Sequence, residues 1–221
     1  MHARFQEWER AGFFRQLWQA EVTAYDDLVG IDWRWQAVDG VMTKAPFGGA
    51  RVPACGQGPN PTDRGKRGTK DSVLTDGAGI PLAIVVDGAN RHDMKLLAAT
   101  LDGLVVARPA PTDDDPQHVC LDAGYDYAAV RQEVAVRGYV AHIRSRGEER
   151  ALKLLHPGTP ARRWVVERTH SWLHRSRRLL IRWEKKVENY LAFLHLACAQ
   201  LLVHKLSTPS PASSTSLTQV A

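Results

Sequence analysis

Between Trp33 and Ile143 the hydrophobic period of the chain switches repeatedly, and that order of elements limits the available folds more than any single residue does. Trp33 to Thr43 alternates around Val38-Asp39, Ser72 to Thr75 runs into Asp76-Gly77, and Ile80 to Val86 follows. An Asp-Gly pair between apolar runs supplies the backbone conformations of a hairpin turn, so three antiparallel strands are expected. The Gly/Pro-rich residues Gly48 to Gly68 form the loop between the first two. Met94 to Leu104 reads as a helix capped by Asn90 or Asp93, His118 to Leu121 as a strand, Asp126 to Val136 as a helix and Tyr139 to Ile143 as a strand. Three strands, then helix, strand, helix, strand, describe a mixed α/β sheet with helices against it.

The flanks read as helices. Residues 1–29 place Phe14, Leu17, Trp18, Val22 and Tyr25 at helical spacing, and no capping residue precedes Met1. A polar linker, Arg144 to Pro160, leads into one long helix from Arg162 to Trp183. Val187 to Leu206 is apolar on nearly every face and is expected to be buried, and the Ser/Thr/Pro-rich tail from Ser207 to be disordered.

A content of 44% hydrophobic and 24% charged residues over 221 positions excludes wholesale disorder. Cys55, Cys120 and Cys198 are too far apart for a zinc knuckle, and an odd count argues against a secreted disulfide framework. The charged start has no apolar signal core, and the greasiest stretch, Tyr190 to Val203, is short for a bilayer span. A soluble, cytoplasmic protein without a membrane partner is expected.

The formal charge of +5 is unevenly distributed. Residues 162–186 hold nine Lys/Arg against Glu167 and Glu184, whereas residues 1–161 hold 19 Lys/Arg against 21 Asp/Glu. Such a segment suits either a phosphate backbone, through counterion release, or a solvated helix face. Within it, Arg163, Glu167, His170, Ser171, His174 and Arg178 form a polar face opposite Val165, Val166, Thr169, Trp172, Leu173, Ser176, Leu179 and Leu180. Glu167 is either the ion-pair partner of Arg163 one turn away or a metal ligand, and periodicity favours the ion pair.

Asp39 and Asp122 each stand at or near the end of an apolar strand, where a rigid sheet holds functional groups well. Each also precedes a glycine closely enough to be a turn residue, as Asp87 does. With Glu167 they supply three hard oxygen donors suited to Mg²⁺, the ligand chemistry of in-line displacement at phosphorus. Other motifs fail. Residues 65–70 do not reproduce a phosphate-binding loop, Asp113 to Asp115 read as a solvated loop, and His170 with His174 lacks a third zinc ligand.

Five blocks in order resemble the DDE transposases of bacterial insertion sequences, in the branch called insertion sequence family five. They are AVDGVMTKAPFGG (37–49), GPNPTDRGKRGTKDSVLTDGAGIPLAIVVDGANRHDMKLL (58–97), CLDAGYDY (120–127), HIRSRGEE (142–149) and RRWVVERTHSWLHRSRRLLIRWEKKVENYLA (162–192). The resemblance runs from about Arg4 to Lys205. It implies a ribonuclease-H-like mixed sheet flanked by helices, with Asp39, Asp122 and Glu167 as the catalytic and metal-binding triad. It implies Mg²⁺, with Mn²⁺ able to substitute, and double-stranded DNA as substrate, both element terminal repeats and target. Arg163, His174, Arg175 and Arg178 are the implied DNA contacts, and a nucleoid-associated homodimer the implied assembly. In the family pattern Y-x2-R-x3-E-x6-K, Arg163 and Glu167 match, while Pro160 and His174 replace the Tyr and Lys.

The implied activity is cleavage and strand transfer at insertion-sequence ends. A non-catalytic DNA-binding remnant or regulator, and a stand-alone metal nuclease, are the rivals. The expected layout is residues 1–30 as what remains of a longer helical N-terminal region, 31–206 as catalytic domain and 207–221 as tail.

Overall fold

The computed structural model describes residues 2–47, 58–143 and 163–208. The linker expected from sequence, the tail beyond residue 208 and Cys55 lie outside them, whereas Ser207, expected to open the disordered tail, ends the last helix. Two helices come first, α1 (His2–Arg10) and α2 (Phe13–Leu28). The single helix expected over 1–29 is interrupted at Gly12, whose φ of 70° belongs to the left-handed region that glycine enters without steric cost.

A six-stranded sheet follows. Its strands are β1 (Trp35–Lys44), β2 (Gly58–Pro59), β3 (Arg67–Asp76), β4 (Pro81–Gly88), β5 (Gln117–Leu121) and β6 (Tyr139–Ile143). β4, β3 and β1 form an antiparallel meander, β5 lies parallel to β1, and β6 lies parallel to β5. The short β2 adds an antiparallel pair at the start of β3. Helices α3 (Met94–Asp102) and α4 (Ala128–Val136) connect β4 to β5 and β5 to β6. After residue 163 come α5 (Trp164–Leu173), α6 (Arg177–Leu180) and α7 (Val187–Ser207). An antiparallel three-strand meander continued by two parallel strands through helical crossovers is the ribonuclease-H-like arrangement.

The turn between β3 and β4 explains why Asp-Gly is a hairpin signal here. Asp76 is buried, and its carboxylate accepts from the amides of Ala78 (2.9 Å), Ile80 (2.7 Å) and Asp32 (3.1 Å). Gly79, at φ 87°, completes the reversal. β3 itself is longer than its apolar residues suggest, because its polar side chains are buried with partners on alternating faces. Lys70 and Ser72 face α3, bonding Asp93 (3.1 Å) and Thr100 (2.8 Å). Asp71 faces α7, accepting from the Tyr190 hydroxyl at 2.6 Å.

One hydrophobic core joins the sheet to α2 and α7, through Trp18, Val22, Val38, Val73, Leu74, Val166, Tyr190 and Leu194. α7 has the length and composition of a membrane-crossing helix, yet Tyr190, Leu194, Cys198 and Leu202 are buried in this core. The long helix expected from Arg162 to Trp183 is broken after Leu173. Residues beyond α6 turn extended because the Arg182 amide donates to the Lys44 carbonyl (2.8 Å) and Ile181 bridges Lys44 at the end of β1. Hydrogen bonding to the sheet outweighs helical periodicity in that segment.

Candidate active site

Asp39 lies in the middle of β1, half-buried, opposite Val73 of β3. That pairing puts it on the same face of the sheet as Asp71, the face covered by α5 and α7. Its Oδ1 accepts from the Gly40 amide at 2.8 Å. Asp122 follows β5 directly and caps the 3₁₀ turn Ala123–Tyr125, accepting from the Gly124 amide at 2.8 Å. The parallel register pairs Trp35 with His118 and Ala37 with Cys120, so Asp39 and Asp122 come next in the same series.

Glu167 sits in the first turn of α5. The helix is held against the β3–β4 turn by two bonds from neighbouring residues. Thr169 Oγ1 donates to the Gly79 carbonyl at 2.7 Å, and Arg168 Nη2 to the Ala78 carbonyl at 2.8 Å. The ion pair favoured by periodicity is present, with Arg163 Nε 3.4 Å from Glu167 Oε1.

The three acids are brought within electrostatic reach of one another. The Asp39 carboxyl is pushed up to about 6, first by burial; the Gly40 amide opposes this, the Asp122 and Glu167 charges add to it, and Arg163 relieves it. Hard, mutually repelling carboxylates are the donor chemistry that a divalent cation satisfies. Among the described residues, however, no three His, Cys, Asp or Glu side chains are grouped closely enough to hold a metal ion. The donor set fits such an ion in kind, and its members are coupled through charge without being closed into a cage.

Several neighbours of the triad are not evident from the sequence. His170, assigned to the polar face by periodicity, is buried, and the main-chain carbonyl of Asp39 acts on its ring. Burial pushes its pKa down to about 4, with the nearby His174 assisting and the Asp39 carbonyl opposing. The ring is therefore neutral and faces the Asp39 strand from the Glu167 helix. Behind the strand, the buried Lys70 Nζ contacts Asp93 Oδ1 at 3.0 Å and donates to the Arg91 carbonyl at 2.8 Å. Asp93 occupies the cap position expected of it but makes no side-chain cap bond, because its carboxylate is used by Lys70. A side chain at Gly40 would meet Asp93 Oδ1 and have to displace the carboxylate that Lys70 holds. The buried Tyr125 hydroxyl is held far from ionisation, first by burial and then by the charges of Asp93, Asp39 and Asp122.

The four basic positions singled out from sequence have different surroundings. Arg163 pairs with Glu167, as above. Arg178 contacts the buried Glu184 through Nε at 2.7 Å and Nη2 at 2.6 Å. His174, the C-cap of α5, has its pKa lowered by burial. Arg175 is exposed and makes no ion pair among the described residues.

The model of the transposase DDE domain family matches residues 36–202. Over 143 residues the chain is 40% identical to a Burkholderia cepacia protein assigned as the transposase for insertion sequence element IS402, which aligns with 64% of this chain and 65% of that relative. The chain thus spans less than two thirds of that relative's length. Among solved structures, a pre-cleavage Mos1 transpososome is 11% identical with a TM-score of 0.35, covering 91% of this chain and 64% of that one. A Mos1 mariner paired-end complex with Mn is 10% identical with a TM-score of 0.35, covering 86% and 61%. By the family match, across all three elements that carry the acids, the chain belongs to the transposase DDE domain family.

Proposed function

We propose that this chain catalyses metal-dependent cleavage of DNA at insertion-sequence ends and transfer of the freed 3′-hydroxyl into target DNA. The observation that supports this is that the Asp39 carboxyl, on β1, feels the charges of both Asp122, at the end of β5, and Glu167, on α5. In this account the three carboxylates hold Mg²⁺, with Mn²⁺ able to replace it. When bound, such ions activate the attacking water or hydroxyl and stabilise the leaving oxygen of an in-line displacement.

The remaining work falls to the chain. The Gly40 and Gly124 amides fix the orientation of Asp39 and Asp122. Neutral His170 faces the Asp39 strand from the Glu167 helix without adding charge. Arg175 contacts DNA phosphates directly, and His174 lies beside it. Arg163 and Arg178 stay paired with Glu167 and Glu184 and add to the positive field that draws in the DNA backbone. The substrate is double-stranded DNA, and holding two ends together calls for a homodimer acting at the nucleoid.

The test uses purified protein, Mg²⁺ or Mn²⁺, and duplexes taken from the two borders of the encoding element. Native protein yields nicked and joined products. Asp122→Asn lowers product at least about 10³-fold, the scale of losing a principal electrostatic group, while DNA affinity stays within two-fold. Turnover retained by Asp122→Asn contradicts the triad. Binding without turnover by native protein favours the regulator, and cleavage without joining favours a nuclease.

A further inference from the structure

We propose that Phe47 and Trp183, with the cations beside them, form a stacking platform for an unpaired nucleobase of bound DNA, separate from the acids. The proposal rests on the DNA-processing function above and adds a subsite to it. Trp183 is 44% exposed and Phe47 56%, and their ring centroids lie 5.3 Å apart at 33°. Two large aromatics held together in water present π faces that a base can cover.

The platform is rigid for a reason visible in the backbone. Residues 181–184 run extended past the end of β1, and in an extended segment alternate side chains face opposite ways. Arg182 and Glu184 point inward and are buried, so Trp183 between them points outward, and Lys185 after it is exposed. Arg182 is wholly buried, its Nε donating to the Glu184 carbonyl (3.2 Å) and its Nη1 to Thr69 Oγ1 (3.3 Å). Glu184 in turn receives Arg178. The inward residues lock the segment, and the outward tryptophan is preorganised at no further entropic cost.

Charge selects the partner. Arg177, Lys185 and Lys186 are exposed and make no ion pair among the described residues. Exposed aromatic faces, with Lys185 and Lys186 following close after Trp183 in the chain, match a single-stranded or locally unpaired nucleic acid, whose bases stack while its phosphates meet the cations. A fully paired duplex keeps its base faces covered and offers only phosphates. Lys44, the last residue of β1, lies five residues beyond Asp39. At about 3.3 Å per residue this is roughly 16 Å, or about five nucleotides along a strand at 3.4 Å each. On the proposed function, the platform would then lie within a few nucleotides of the acids along a bound strand.

The test compares two labelled 25-base-pair duplexes, one fully paired and one carrying a single unpaired thymine, by fluorescence anisotropy. Native protein is expected to bind the bulged duplex about five-fold more tightly, the lower end of base–aromatic stacking. Trp183→Ala should lose that preference while binding the paired duplex within two-fold of native and melting at an unchanged temperature. Trp183→Phe should keep most of it, and Asp122→Asn all of it. Equal native affinity for both duplexes, or preference retained in Trp183→Ala, overturns the proposal. So does a change in sedimentation of DNA-free Trp183→Ala, which assigns the aromatic pair to a protein contact. Failure to bind either duplex overturns the DNA-processing function as well.

Discussion

Asp39 ionises at the expense of folding. Its carboxyl moves from 3.8 to about 6 in the folded chain. Between those values the folded state keeps a proton that the unfolded state has released, so stability falls as pH rises through that window. At about 1.4 kcal/mol per unit the charged form costs about 3 kcal/mol above pH 6. Metal-free Asp39→Asn is therefore expected to be more stable than native protein at pH 7.5 by about that amount, with the difference vanishing near pH 4. Urea melts at the two pH values check it. The same residue illustrates what a sequence discloses at this scale. Asp39 and Asp122 were legible because an acid within or after an apolar strand needs a reason, and the Arg163–Glu167 pair because the two are one turn apart. His170 was not legible: periodicity puts it with Glu167 on the polar face, and only the packing of α5 onto β1 buries it. Lys70 and Asp71 were hidden likewise, as adjacent charged residues in a strand that is covered on both faces.

At the scale of elements, the strands of the meander and the β5–β6 pair followed from alternation and turn chemistry, which are local. The extended run after α6 did not, because the Arg182 amide bonds the Lys44 carbonyl of a strand more than 130 positions earlier. The α2–α7 packing offers a test of another long-range contact. His195 stacks on Trp18 with centroids 5.2 Å apart, and burial, with Arg15 adding, pushes its pKa down to about 4. The folded state keeps this ring neutral while the unfolded chain takes up a proton near 6.5, so its contribution is complete above pH 6.5 and is lost as pH falls toward 4. Between pH 7 and 5 that loss is about 2 kcal/mol. His195→Phe preserves the stacking without the titration, and chemical denaturation at both pH values should show a loss smaller by about that amount.

Across the whole molecule, the eight described cations of the basic segment divide between two tasks. Arg182 is buried, Arg168 lies between Trp164 and Trp172 at 4.3 and 4.5 Å from their rings, and Arg163 and Arg178 hold acids. Arg175, Arg177, Lys185 and Lys186 are left facing solvent without an ion pair among the described residues. If these four neutralise phosphates, the slope of log affinity against log salt is about −3.6, and Lys185→Gln with Lys186→Gln reduces it by about 1.8. Affinity measured from 50 to 200 mM salt checks both figures.

The central claim is that Asp39, Asp122 and Glu167 act together on a divalent cation, and thermal unfolding during Mn²⁺ titration tests it most directly. At ten times its dissociation constant, an ion bound only by the folded state adds about 1.4 kcal/mol, which is a rise of roughly 3–6 °C for a domain of this size. The account predicts that rise for native protein and its loss in Glu167→Gln. No rise in native protein with or without duplex DNA, or an equal rise in Glu167→Gln, contradicts it.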